Sequence, residues 1–192
     1  GHRCAGTDVS PDAVTALIDE GMIGCASLEE LVAALEAPRV VWVMVPAGDP
    51  TRETVAKLAD LLEPGDLVID GGNSRFTDDF ENAKLLGAKK IGYVDCGVSG
   101  GIWGLELGYC MMLGGEPKAI AILEPALDSL APKDGWMHVG PWGAGHFAKM
   151  IHNGIEYGMM QAYAEGFELF NHCEYELDNA QIAHLWMQGS VV

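Results

Sequence analysis

Short apolar runs alternate with stretches of helical periodicity along most of the chain. Arg39–Val45 (RVVWVMV) and Asp66–Asp70 (DLVID) have the near-continuous apolar character of strands buried on both faces. Cys4–Thr7, Ile91–Asp95, Tyr109–Leu113 and Trp136–Val139 are shorter runs of the same kind. Between them the pattern turns helical. Ser10-Pro11 opens a helix to about Glu20, and Ser27 with Glu30 makes a capping-box signal for a helix to about Glu36. Further helices are expected over about Thr51–Leu62 and Thr77–Leu86, and Gly114-Gly115 followed by Pro117 reads as a plain turn into another. After Gly145 the strand signals stop, leaving one long helix to about Asn171 and the start of a second near Asp178. This alternation predicts an α/β fold with a doubly wound parallel sheet over residues 1–142, followed by the beginning of an all-α domain over 143–192.

A doubly wound sheet binds ligands in the loops at the carboxyl ends of its strands. Asp8 closes the first run, where a carboxylate can accept from the ribose hydroxyls of NAD and repel the 2′-phosphate of NADP; it reads equally as an exposed cap of the next helix. Val45-Pro46-Ala47-Gly48 is a tight turn of small side chains over which a flat nucleotide fits. Gly71-Gly72-Asn73-Ser74 closes the next strand, with Asn73 both donor and acceptor. In a fourth loop, Asp95–Gly101, the residues Ser99, Gly100 and Gly101 offer a hydroxyl and successive amides to an anion at a helix start.

The long helix carries the densest chemistry. Lys149, His152, Asn153, Glu156 and Tyr157 stand at offsets of three, four, seven and eight, so an amine, an imidazole, an amide, a carboxylate and a phenol share one face. The same stripe reads as the solvated side of a helix packed through Met150, Ile151, Ile155 and Met159. Against that, His, Asn and Tyr are mediocre helix formers with little reason to cluster, and Gly154 and Gly158 weaken the helix while admitting a ligand or another backbone.

Composition narrows the classes. With 192 residues, 49% hydrophobic and 20% charged, the chain reads as a globular protein of one full domain and part of another. A formal charge of −17 argues against nucleic acid or an anionic membrane as partner, while leaving room for an anionic metabolite held by local amides. The five cysteines are scattered, without metal-ligand spacing, and read as reduced thiols of a cytoplasmic protein. No apolar run approaches a membrane span, and the first residues do not resemble a signal peptide.

Taken together, IDGGNS at 69–74, VSGGIWGLELG at 98–108 and GHFAKMIHNGIEYG at 145–158 resemble the 6-phosphogluconate dehydrogenase family, in order and over nearly the whole chain. The VPAG turn at 45–48 resembles its shorter, NAD-preferring branch. The broader β-hydroxyacid dehydrogenase superfamily would explain only the VSGG loop and a Lys with an Asn four residues on.

The resemblance implies a Rossmann-like dinucleotide-binding domain and NAD-dependent oxidative decarboxylation of 6-phosphogluconate to ribulose 5-phosphate and CO2, the gluconate step of the pentose phosphate pathway. By it Lys149 is the general base and Glu156 the acid. Asn73, Ser99, Gly100, Gly101, His152, Asn153 and Tyr157 hold the phosphorylated sugar acid. Asp8, Val9, Ser10, Val45, Pro46 and Ala47 line the dinucleotide site, with Asn73 bridging the two. Asp8-Val9-Ser10 stands where the NADP-using branch has Asn-Arg-Thr, which favours NAD over NADP. No metal is expected, since an ammonium can stabilise the oxyanion formed as CO2 leaves. The family pairs as a homo-oligomer, a dimer, through its helical domain. The family's opening strand, GxGxxG turn and helix are expected before Asp8 and are absent here, so the chain reads as an internal fragment. Two other readings stay open: another β-hydroxyacid dehydrogenase of the superfamily, and a catalytically silent truncated chain.

Overall fold

The computed structural model describes residues 2–191; Gly1 and Val192, the outer limits of the two expected domains, lie outside the described residues. The chain divides into two units, Gly1–Lys149 and Met150–Val192. The first contains β1 (Ala5–Gly6), α1 (Pro11–Ile18), β2 (Ile23–Gly24), α2 (Leu28–Ala34), β3 (Val40–Val43), α3 (Asp49–Leu61), β4 (Leu67–Asp70) and α4 (Asp79–Gly87). It continues with β5 (Gly92–Ser99), α5 (Gly104–Leu107), β6 (Cys110–Gly115), α6 (Pro117–Leu130) and β7 (Trp136–Gly140). α7 (Ala144–His172) starts in this unit, and the second unit holds the rest of it and α8 (Asn179–Trp186).

Five strands form one sheet in the order β3-β4-β5-β6-β7, and β1 and β2 form a parallel pair of their own. The α/β class expected from the sequence is the one observed. The sheet is parallel at every pairing but one: β6 runs antiparallel to β5, with Asp95 opposite Gly114 and Ser99 opposite Cys110. The reason is the connection. Residues 100–109 hold only a 3-10 turn and the four-residue α5, too little for the crossover of a dozen or more residues that a parallel return needs.

Alternation along the strands explains why helices cover both faces. Val41, Val43, Val68 and Tyr93 point into one core with Val55, Leu58 and Ala59 of α3 and Leu86 of α4. Leu67, Ile69, Val94 and Cys96 point into a second core with Ile120, Leu123 and Leu127 of α6. A strand apolar on both faces is what such a two-sided sheet demands. Its start is pinned by charge: buried Asp66 accepts from the backbone N–H of Arg39 at 2.7 Å and from the Arg39 guanidinium at 3.0 Å, joining the lead-ins of β3 and β4. Burial pushes the Asp66 carboxyl up, but the Glu63 and Arg39 N–H groups and the guanidinium outweigh it and hold it below its ordinary value.

The Ser27 signal forms a cap, since its Oγ accepts the Glu30 N–H at 3.2 Å. The return bond from Glu30 goes to the N–H of Ala26 at 2.8 Å, one residue before the cap. In the second unit Asp178 caps α8, accepting the Gln181 N–H at 3.0 Å. Phe167 and Phe170 of α7 pack on Trp186 of α8 with ring centroids 5.9 and 5.7 Å apart. α7 runs unbroken through Gly154 and Gly158, and a Cβ at either would meet nothing within 4 Å. Among the described residues no helix is long and apolar enough to cross a membrane.

Candidate functional site

The carboxyl ends of β3, β4 and β5 open into one cavity of about 670 Å3. Met44, Val45, Pro46 and Ala47 line it from β3, Gly71, Gly72 and Asn73 from β4, and Val98, Ser99, Gly101 and Tyr109 from the end of β5 and its loop. The size and the low, mostly apolar walls with a few polar groups suit a flat organic ligand. Six residues nominated from the sequence thus share a wall: Val45, Pro46, Ala47, Asn73, Ser99 and Gly101. Gly100 is beside them but not in the lining; its φ of 138° and the 52° of Gly101 are conformations that other residues rarely adopt, and they turn the chain out of β5. Ser99 was expected in a loop with everything from Asp95 onward. It is instead the last residue of β5, because the antiparallel ladder with β6 keeps Cys96–Ser99 extended. Asp8, Val9 and Ser10 are exposed and do not line the cavity; Asp8 accepts the Ser10 N–H at 2.8 Å just before α1.

Lys149 is half-buried in the same unit, and its position is set by Gly97. A Cβ at residue 97 would collide with Lys149 Cβ and come within 2.8 Å of the Gly145 carbonyl, so the missing side chain lets α7 lie against β5 two residues before Ser99. Gly97→Ala is therefore expected to destabilise the unit by about 1–3 kcal/mol through overpacking. A denaturation midpoint equal to wild type would contradict that packing.

Asp70, the residue before Gly71 of the cavity wall, belongs to a buried polar cluster outside the residues nominated from the sequence. Asp70 and Asp95 are register partners on β4 and β5, and both are fully buried, as is Asp79 at the start of α4. Asp95 accepts the N–H groups of Gly143 at 2.7 Å and His146 at 3.0 Å, where the positive end of α7 favours a carboxylate. Asp79 accepts from His146 Nδ1 at 2.9 Å and from the Tyr93 hydroxyl at 2.7 Å. Burial alone would lower His146, but the hydrogen bond and charge of Asp79, with Asp70 and Asp95 behind it, hold it above its ordinary value. Burial likewise pushes Asp79 up, more than His146 and Tyr93 draw it down. Burial, then Asp79 and Asp70, pushes the Tyr93 phenol well up, so it stays a donor.

One donor atom each from Asp70, Asp79 and His146 lie within 4.8 Å of one another. Their closest members already bond each other, so the cluster is a buried His146–Asp79 pair with a second carboxyl beside it. Its sequence signal was an aspartate closing each of two apolar strands, where a charge has no place without a partner.

The second unit holds the rest of the stripe by itself. His152, Glu156 and Tyr157 are exposed and Asn153 is half-buried on α7. His152 Nδ1 lies 3.7 Å from Glu156 Oε2 one turn on, and 3.3 Å from Asn153 Oδ1. Met150, Ile151, Ile155 and Met159, the face through which the alternative reading packs the helix, are exposed within the chain. Another hollow of about 700 Å3, between Phe170 and Asn179 at the α7–α8 turn, contains none of the nominated residues.

Residues 1–140 match the family described as the NAD binding domain of 6-phosphogluconate dehydrogenase, and residues 145–191 match the C-terminal domain of that enzyme. The chain is 42% identical over its whole length to the NAD(+)-dependent, decarboxylating 6-phosphogluconate dehydrogenase of Haloferax volcanii, of which it spans 64%. It is 41% identical over 88% of its length to the decarboxylating enzyme of Caenorhabditis elegans, covering 36% of that protein. Among solved structures it resembles Plasmodium falciparum 6-phosphogluconate dehydrogenase, described with NADP+ and with 6-phosphogluconate, at a TM-score of 0.81 and 29% identity, covering 90% of this chain and 39% of that one. It resembles Mycobacterium tuberculosis 3-hydroxyisobutyrate dehydrogenase at a TM-score of 0.80 and 30% identity, covering 90% and 58%.

Proposed function

Because the chain belongs to the 6-phosphogluconate dehydrogenase family, we propose that it serves the NAD-dependent oxidative decarboxylation of 6-phosphogluconate to ribulose 5-phosphate and CO2. The observation that carries this reading is the cavity at the ends of β3, β4 and β5, which has Asn73 and Ser99 in its wall, while Lys149 backs onto β5 at Gly97 in the same unit. The small Val45-Pro46-Ala47 turn and the bare Gly71-Gly72 backbone fit a dinucleotide, and bound NAD supplies the hydride acceptor. Asp8 supports NAD over NADP by its carboxylate.

Within that reading Lys149 takes the proton of the substrate's 3-hydroxyl as C3 is oxidised. As an ammonium it then holds the new 3-keto oxygen, so that the neighbouring carboxylate leaves as CO2 and its bonding pair stays behind as an enediol. Glu156 returns a proton to the terminal carbon of that enediol. Asn73, Ser99, Gly100, Gly101, His152, Asn153 and Tyr157 hold the sugar acid. The helical residues from 143 onward begin the domain through which two subunits pair, in a cytoplasmic enzyme of gluconate metabolism.

A panel of 6-phosphogluconate, 3-hydroxyisobutyrate and related β-hydroxyacids, each with NAD and NADP, tests the assignment on the full-length protein by cofactor reduction and CO2 release. Turnover confined to 6-phosphogluconate with stoichiometric CO2 is expected; oxidation of another hydroxyacid without CO2 would move the protein elsewhere in the superfamily, a reading that the likeness to 3-hydroxyisobutyrate dehydrogenase keeps specific. In the same assay Asp8→Ala is expected to shift the NAD-to-NADP preference by roughly tenfold or more, the worth of a charge-assisted hydrogen bond. An unchanged ratio would remove Asp8 from the cofactor site.

A further inference from the structure

The loop 71–78 carries Asn73 into the cavity wall, and both of its ends converge on one side chain of α7. Asp70 is the residue before the loop and Asp79 the residue after it. His146, in the first turn of α7, donates to Asp79 through Nδ1, and one of its ring nitrogens lies within 4.8 Å of an Asp70 oxygen. His146 Nε2, Asp70 Oδ2 and Ser74 Oγ are all buried without a protein partner. Two further contacts bring the loop to α7: Phe76 meets Phe147 edge-on with centroids 5.2 Å apart, and Gly143, lacking a side chain, leaves room for the Phe76 carbonyl at the start of α7. Lys149 follows His146 at an offset of three, one turn along the same face.

We propose that His146 is a positioning residue: ion-paired to Asp79 and facing Asp70, it fastens both ends of the loop 71–78 onto α7 and so fixes Asn73 relative to Lys149. The inference rests on the functional reading above for its catalytic consequence, and on the geometry alone for the fastening. The charges favour a cation at this point. Asp70 and Asp95 stand side by side on adjacent strands, Asp79 faces them from α4, Tyr93 adds only a neutral hydroxyl, and without a positive charge between them the three carboxylates would repel one another in a medium that screens poorly. Aiming two catalytic groups through a buried pair is effective because a displacement of about 1 Å at a reacting group lowers turnover on the order of 100-fold.

Three measurements on the full-length protein test it. Nitrogen NMR of the imidazole is expected to show both ring nitrogens of His146 protonated at neutral pH; a neutral ring, or a stoichiometric metal ion in the cluster, overturns the proposal. In turnover, His146→Leu is expected to lower kcat on the order of 100-fold. His146→Asn keeps a donor where Nδ1 stood and is expected to recover to within about tenfold of wild type. Equal losses in the two variants overturn the proposal. Amide exchange over residues 72–77 is expected to quicken most in His146→Leu and less in His146→Asn, which keeps the bond to Asp79 but not the charge; unchanged exchange in both overturns the fastening. Should 6-phosphogluconate prove not to be the substrate, the NMR and exchange arms still decide, and should the Leu variant not fold, the wild-type spectrum and the Asn variant do.

Discussion

Lys149→Ala is expected to lower NADH formation from 6-phosphogluconate by on the order of 100- to 10,000-fold, the usual loss when a general base is removed. The substitution is unusually clean here. Alanine keeps the Cβ that rests over Gly97, so α7 retains its seat on β5 and the cavity, whose lining does not include Lys149, is left intact. NAD affinity is therefore expected to change by less than about threefold, since the lost interaction belongs to the transition state and not to cofactor binding. Lys149→Arg separates the two roles proposed for the amine. A guanidinium preserves the positive charge beside the keto oxygen but gives up no proton near neutral pH, so substrate binds and oxidation stops. Turnover within tenfold of wild type for the alanine variant would sink the assignment of Lys149.

The parts of the fold that were legible in the sequence are those set by burial. RVVWVMV and DLVID announce strands covered on both faces because neither face has a polar residue to spare. Pro117 after two glycines announces a helix start because proline needs no N–H there. What was hidden is set by connections and partners. The reversal of β6 follows from a short link, which apolar runs do not encode. β2 has only two residues, too few for any period. The glycine-bearing end of β5 reads as a loop until β6 is there to pair with it.

The site divides the same way. Val45, Pro46, Ala47, Asn73, Ser99 and Gly101 were nominated because loops at strand ends are where a doubly wound sheet binds ligands, and they line one cavity. His146 stands in its motif without a signal of its own, because its meaning depends on Asp79, 67 residues away. A buried ion pair has no local signature: each partner alone resembles a surface residue, and only the tertiary fold makes it costly and therefore informative.

That pair carries the largest expected effect on stability. Asp79→Ala removes the acceptor of both His146 Nδ1 and the Tyr93 hydroxyl at a fully buried position, and breaking such a pair from one side is expected to cost about 3–5 kcal/mol. Asp79→Asn keeps an oxygen for Tyr93 and is expected to cost less, about 1–3 kcal/mol. The pH dependence identifies the cause. His146 is held above its ordinary 6.5 and Asp79 above its ordinary 3.8, so the folded chain binds protons more tightly than the unfolded one at both groups, and stability falls as pH rises. The His146 contribution is complete below 6.5 and is lost as pH climbs through its raised value. Removing Asp79 takes away the hydrogen bond and charge that hold His146 up, and the alkaline decline flattens with them. Urea denaturation followed by tryptophan fluorescence is expected to show the widest gap between wild type and Asp79→Ala near pH 6, narrowing toward pH 9. A gap of the same size at both ends would mean that Asp79 contributes only its shape and hydrogen bonds, and that no buried imidazolium ties the β4–α4 loop to α7.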